Sequence, residues 1–277
     1  MSRAGHPPGG AGAVTVTVHR PAAGDRDPTV GFVHGLGATA MVWQGLLDAL
    51  PPGAGATVYG MPWDAANGSA WARSPEPRVW LARALRLTDR PPDVLVAHSF
   101  GANVVLDQLC AEGSDGYRGV VLVCPFYRSS PDGFDWTVIS HYLNGFPDLL
   151  RAGILARPGG SPDPELVDAM AERVRDRIGP YGWLRFFGLF SGTPMLDLRG
   201  VDLPCLVVGG ARDTASYPAD CRALAQDLPR ARAEILPGCG HFPMIDDPAR
   251  TAGLLAGFLS DLVGVDGSPV AWKGAQQ

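Results

Sequence analysis

Ser99, Asp213 and His241 are the side chains of this 277-residue chain whose surroundings best suit chemistry. Ser99 lies in Val94-Leu-Val-Ala-His-Ser-Phe-Gly-Ala-Asn-Val-Val-Leu106, between a short apolar run and one that reads as a helix. Ala97 and Gly101 flank it two positions away on either side, the spacing of a GxSxG turn with Ala for the first Gly. A strand-to-helix turn this sharp presses the two backbones together, so only small residues fit, and the serine is forced into strained φ/ψ. The strain lifts the hydroxyl clear of the sheet and aims the unpaired N–H groups of the helix start at whatever the hydroxyl attacks. A serine hydroxyl attacks a carbonyl only if a base takes its proton as the bond forms. Histidine, with an ordinary pKa of about 6.5, can take and return that proton near neutrality. His241 is placed for it, in the glycine-rich loop Pro237-Gly-Cys-Gly-His241. A carboxylate behind the imidazole would fix its tautomer and stabilise the imidazolium, which is the role of Asp213. Asp246 and Asp247 stand at a helix start, where acids are expected for their charge alone. Asp107 belongs to the helix after Ser99 and points away from the turn.

The earlier run Thr29-Val-Gly-Phe-Val-His-Gly-Leu-Gly37 is another buried strand, and it ends in HGxG. Four motifs now stand in order: HGLG at 34–37, AHSFG at 97–101, GARD at 210–213 and GCGHFPMIDDP at 238–248. In this order the chain resembles the α/β-hydrolase family, from about Val14 to Val263. The resemblance implies an oxyanion hole made of two backbone N–H groups, one from Phe100 after the nucleophile and one from Leu36 in the HGxG turn. Gly35 and Gly37 let that turn bend. His34 is read as a brace for the loop, and His98 as pointing opposite to Ser99. The segment after Cys124 has no carboxylate before Asp132, so the alternative acid position used by some family members is empty here. Two stretches depart from the family pattern: Ala97, and Met61-Pro-Trp-Asp-Ala-Ala-Asn-Gly-Ser-Ala-Trp71, where many relatives carry GHGxS.

The elements needed to hold these residues follow from patterning. Val14–Arg20 alternates as an edge strand. Thr29–His34, Ala56–Gly60, Asp93–Ala97, Gly119–Cys124, Leu203–Gly209 and Ala233–Leu236 read as strands. Met41–Leu50, Pro77–Leu87, Pro218–Leu228 and Pro248–Val263 read as helices. Short buried strands alternating with helices predict a doubly wound, mostly parallel α/β sheet covered on both faces. The core is expected over 14–124 and 199–264, between a Gly/Pro-rich leader at 1–13 and a tail at 265–277. Residues 125–198 break the alternation and are rich in aromatics, with a helix over Asp163–Ile178. In the resembled family an insertion here forms a helical cap over the nucleophile. Phe126, Trp136, Tyr142, Trp183, Phe187, Phe242 and Met244 are the candidate pocket residues, and with Leu36 and Phe100 they imply an apolar or aromatic substrate.

Composition excludes several classes. With 46% hydrophobic and 18% charged residues the chain is globular, and a net charge of −5 offers no basic footprint for nucleic acid. No apolar run reaches the length of a membrane span, and no secretory pattern opens the chain, so a cytoplasmic protein without nucleic-acid or membrane partners is expected. Oligomeric state is left open. The five cysteines (110, 124, 205, 221 and 239) are odd in number and read as reduced thiols, with Cys239 a small spacer near His241. No Cys/His spacing marks a metal site, and no cofactor is called for. The one lysine, Lys273, speaks against chemistry that needs an active-site ammonium. The expected function is a serine hydrolase that cleaves an ester, thioester or related carboxyl bond of a small molecule through an acyl-enzyme. The same triad could instead serve acyl transfer, cyclisation or carbon–carbon cleavage in secondary metabolism. A third alternative is a ligand-binding relative with little turnover. A serine nucleophile excludes the haloalkane-dehalogenase branch, and the missing lysine weighs against the hydroxynitrile-lyase branch.

Overall fold

The computed structural model describes residues 14–24, 27–73, 76–155 and 163–262. The leader at 1–13, the tail at 265–277 and Lys273 lie outside them. Seven strands form one sheet: β1 (Thr15–Arg20), β2 (Thr29–Val33), β3 (Gly55–Gly60), β4 (Val94–His98), β5 (Gly119–Val123), β6 (Cys205–Gly210) and β7 (Ala231–Leu236). Their order is β1-β3-β2-β4-β5-β6-β7. β1 pairs antiparallel with β3, and every other pairing is parallel. The fold is the doubly wound α/β sheet that the patterning predicts.

Alternation along the strands explains the two-sided core. Leu95 and Ala97 of β4 face one hydrophobic cluster, while Val94 and Val96 face the other. The first cluster holds α2 (Pro77–Leu85), α3 (Phe100–Glu112) and α6 (Pro218–Asp227), and the second holds α1 (Gln44–Ala49) and α8 (Pro248–Leu262). Met41–Leu50 is not one helix. A 3₁₀ turn over Ala40–Trp43, capped by the Thr39 hydroxyl on the Met41 N–H, precedes α1. The four-residue α7 (Pro243–Asp246) stands between His241 and α8.

Strand order reverses between β2 and β4, which are neighbours with Val33 opposite Ala97. Loops leaving the carboxyl ends of strands diverge at such a point and open a crevice there. The HGxG loop follows β2 and Ser99 follows β4, so both enter that crevice.

Residues between β5 and β6 form two long helices that pack on each other, α4 (Trp136–Leu155) and α5 (Pro164–Gly192). The helix expected over Asp163–Ile178 is the first half of α5. The chain breaks at Gly179, where φ is 64° and ψ is 172°, and Pro180 starts the second half. Only glycine adopts that conformation cheaply, and Pro180 has no N–H to continue the helical ladder. Among the described residues, no helix is long and apolar enough to cross a membrane.

Candidate active site

Ser99 takes φ 54° and ψ −126°, a conformation strained for a residue with a side chain. The surroundings impose it. The Ser99 N–H donates to the Val123 carbonyl at 2.8 Å, which continues the β4–β5 ladder past the end of the strand. The Ser99 carbonyl already accepts from Ala102 and Asn103 in the first turn of α3, at 2.8 and 3.1 Å. The residue therefore belongs to strand and helix at once. Gly101 must be glycine because a β-carbon there would lie 2.5 Å from the His34 carbonyl oxygen. A β-carbon on Gly35 would lie 3.0 Å from the Ser99 β-carbon. The two loops thus interlock through their glycines.

His241 reaches the crevice from the loop after β7. The His241 Nε2 stands 3.0 Å from the Ser99 Oγ, and its Nδ1 stands 2.7 Å from the Asp213 Oδ2. Asp213 follows β6. Its Oδ1 accepts from the N–H groups of Ala215 and Ser216 at 2.8 and 3.1 Å. Burial pushes the Asp213 carboxyl up, but the imidazole charge and the hydrogen bonds from His241, Ala215 and Ser216 outweigh it and hold the carboxyl below its ordinary range. An ionised carboxylate on Nδ1 keeps the neutral imidazole's proton there, leaving Nε2 free to accept from the serine hydroxyl. All three side chains are shielded, with Ser99 7%, Asp213 4% and His241 6% exposed. Gly210 lets the histidine loop cross β6, since a β-carbon there would fall 2.0 Å from the Gly240 carbonyl.

The neighbouring histidines hold backbone. Met61 N–H donates to the His34 Nε2 at 3.0 Å, so the His34 proton sits on Nδ1 and bonds the Gly35 carbonyl at 2.9 Å. The Trp63 indole donates to the His34 carbonyl, and the Gly37 N–H donates to the Trp63 carbonyl. The departure at Met61–Trp71 is therefore what clamps the HGxG loop. The His98 Nε2 donates to the His241 carbonyl at 2.8 Å, which ties β4 to the histidine loop. Burial drives the His98 pKa down to about 3, so the ring is neutral. Among the described residues, the N–H groups of Leu36 and Phe100 have no hydrogen-bond acceptor, and both residues line the cavity over Ser99.

That cavity has a volume of about 50 Å³. Its walls include Leu36, Val42, Leu150, Ile154, Val174 and Phe242, drawn from the sheet loops and from α4 and α5. Phe126 and Phe242 are among the residues that line it. Tyr142 lines a neighbouring hollow instead, and its hydroxyl donates to the Ala215 carbonyl. Four candidate positions and part of a fifth are corrected. Trp136 is 83% exposed at the start of α4. Trp183 and Phe187 stack on each other at 5.0 Å along α5, Phe187 also packs on Phe134, and neither lines the cavity over Ser99. Met244 is buried in the core beside α1 and α8, because α7 turns it away from Ser99. The Phe100 ring packs against Trp63 and Trp71, so its backbone rather than its ring is what the cavity can use.

Asn103, buried in α3, is a residue the sequence reading passed over. Its amide donates to the Phe126 carbonyl at 2.7 Å and accepts from the Phe126 N–H at 3.0 Å. The signal for it was an amide in the apolar first half of the helix, among Phe100, Ala102, Val104, Val105 and Leu106. Ser216 is a second, with its N–H on Asp213 and its hydroxyl on the Pro125 carbonyl. Asp246 and Asp247 are engaged elsewhere, on the N–H groups of Gly240 and Arg250, and Asp107 pairs with Arg78. None of the five cysteines is in a disulfide. Cys124, Asp213 and His241 bring potential metal-ligand atoms within 4.8 Å of one another. Asp213 and His241 already bond each other there, and burial keeps the Cys124 thiol protonated, so the set is arranged for hydrogen bonding rather than ligation.

The profile of the Alpha/beta hydrolase family matches residues 32–254, and the chain belongs to that family. A proline iminopeptidase of Lactobacillus delbrueckii subsp. lactis is 36% identical over 105 residues, which is 35% of this chain and 35% of that protein. The match thus spans about a third of the length of that curated relative. Among solved structures, a bromoperoxidase from Bacillus anthracis superposes with a TM-score of 0.62 at 16% identity, covering 90% of this chain and 96% of the other. The enol-lactonase from Burkholderia xenovorans LB400 gives 0.58 at 20% identity, covering 90% and 97%. At these identities the superpositions speak for the fold.

Proposed function

We propose that this protein is a serine hydrolase that cleaves an ester, thioester or related carboxyl bond of a small molecule with an apolar acyl group. The unbroken line from Asp213 Oδ2 through both imidazole nitrogens to Ser99 Oγ, at 2.7 and 3.0 Å, carries this reading. As Ser99 Oγ bonds the carbonyl carbon, its proton passes to His241 Nε2, and Asp213 stabilises the imidazolium. The carbonyl oxygen becomes an oxyanion held by the N–H groups of Leu36 and Phe100. The bond to the leaving group then breaks, the leaving atom takes the proton from His241, and an acyl-Ser99 remains. Water attacks the acyl carbon with His241 again as base, releasing the acid and restoring the serine.

The apolar walls favour an uncharged acyl group over the protonated amine of an N-terminal residue, because burying an unpaired ammonium costs several kcal/mol. Five unpaired thiols suit a reducing, cytoplasmic compartment. The shielding of the triad supports a second reading, in which water is held back and the acyl group passes to another acceptor or closes into a ring. A fluorophosphonate should label the wild type at Ser99, label His241→Ala slowly and leave Ser99→Ala unmodified. Hydrolysis of p-nitrophenyl acetate should follow the same order, and product analysis with an added nucleophile separates water from another acceptor. Equal labelling or turnover in the wild type and Ser99→Ala would refute the proposal.

A further inference from the structure

A second hollow, of about 230 Å³, adjoins the cavity over Ser99, and the two share His241, Leu149 and Phe186 as walls. The hollow lies on the Asp213 side of the imidazole. We infer that it is the subsite for the leaving half of the substrate, an inference that rests on the hydrolase reading above.

Three observations carry it. Ser99, Leu36 and Phe100 line the first cavity and not the second, so the carbonyl carbon under attack belongs in the first. At about 50 Å³ that cavity has room for only a few water-sized groups. A carbonyl and a short acyl chain fill it, and the rest of a substrate has to lie elsewhere. The leaving atom must also take its proton from His241, so the leaving half departs along the imidazole, the wall that both spaces share. Together the two volumes approach the lower end of the ~300–1,000 Å³ usual for small-molecule sites. Leu149 on α4 and Phe186 on α5 are the side chains that divide them.

The lining sets the chemical class. Tyr142, Phe146 and Ala152 give the hollow an apolar body. Its lining also carries Asp148, paired with Arg151, Asp213, bonded to His241, and Arg212, whose guanidinium donates to the Gly238 carbonyl. An alcohol or thiol with an aromatic or apolar body fits the part of the space that Tyr142, Phe146 and Ala152 line.

Gly145 provides the test. It lines the second hollow but not the first, and a β-carbon added there meets nothing within 4 Å. Leucine at this helical position is also a better helix former than glycine. The readout is selectivity among methyl acetate, 2-phenylethyl acetate and methyl hexanoate, which separate a larger alcohol from a larger acyl group. Gly145→Leu should lower the kcat/KM ratio of 2-phenylethyl acetate to methyl acetate about tenfold. The ratio of methyl hexanoate to methyl acetate should stay within about twofold of wild type. Ala152→Leu fills the same hollow and serves if the first variant fails to fold. A fall in the hexanoate ratio instead, or no change in either ratio, overturns the assignment. Fluorophosphonate labelling distinguishes the two failures. Labelled Ser99 with unmoved ratios removes the subsite alone, whereas an unlabelled wild type removes the hydrolase reading beneath it.

Discussion

Replacing Asp213 by asparagine is the sharpest probe of the proposed mechanism, because the geometry fixes which way the new amide must face. Oδ1 of Asp213 accepts two backbone N–H groups, from Ala215 and Ser216 at 2.8 and 3.1 Å. An asparagine that turned its NH₂ toward them would lose two hydrogen bonds, each worth about 1 kcal/mol net or more, and would leave three donors facing one another. The amide oxygen therefore takes the Oδ1 place, and the NH₂ meets His241 Nδ1 where the carboxylate oxygen stood at 2.7 Å. Nδ1 must then accept, the neutral ring carries its proton on Nε2, and the nitrogen 3.0 Å from Ser99 Oγ can no longer take the serine proton. Loss of the base by tautomer reversal should lower kcat by about 10⁴, equivalent to about 5.5 kcal/mol, with residual rate left by the oxyanion donors. The assay is acylation by p-nitrophenyl acetate, followed as p-nitrophenol release, with circular dichroism to show that the fold is kept. A variant that folds and retains more than about a tenth of the wild-type kcat would refute the reasoning, since wrong-tautomer loss is far larger.

Two further outcomes follow from buried groups. The His98 pKa is about 3 in the folded protein against an ordinary 6.5, and burial moves His34 in the same direction. The unfolded chain then binds more protons as pH falls below 6.5, so stability is full above that value and is lost progressively toward pH 3. His98 alone should cost about 2 kcal/mol between pH 7 and pH 5, read from urea midpoints, and a midpoint that does not fall over this range would contradict it. Gly101→Ala places a β-carbon 2.5 Å from the His34 carbonyl and 3.0 Å from that of Val33. Backbone atoms cannot rotate aside, so a loss of about 3 kcal/mol and slower labelling of Ser99 are expected. An unchanged melting temperature together with wild-type labelling would show that the turn is not held by this contact.

The sheet was legible because its strands are short apolar runs whose neighbours alternate between two faces, as Val94 to Ala97 do. Ser99, Asp213 and His241 could be singled out because each follows a strand of the parallel sheet, and the carboxyl ends of those strands share one edge. The helices over the site were harder to read. α4 contains Gly145, Pro147 and Gly153, which in sequence resemble breaks in a helix. Gly153 is required there by packing, since a β-carbon would stand 2.8 Å from the Phe242 ring. Pocket residues were the least legible. Trp136 and Phe126 are both aromatic residues of the same insertion, yet one faces solvent and the other the imidazole. The chain at Phe126 is held by Asn103, 23 residues earlier, through two hydrogen bonds to its backbone. No local pattern encodes a contact of that range.

The paired bonds between Asn103 and Phe126 imitate one rung of a sheet where no strand is available. They anchor the chain to α3, the helix that Ser99 opens, at the point where it leaves the core for α4 and α5. Beyond that anchor α4 and α5 supply the cavity walls Leu150, Ile154 and Val174, while Ser99, Asp213 and His241 stand where the chain leaves the sheet. The walls of the cavity and the three hydrogen-bonded side chains are thereby carried in large part by different stretches of the chain.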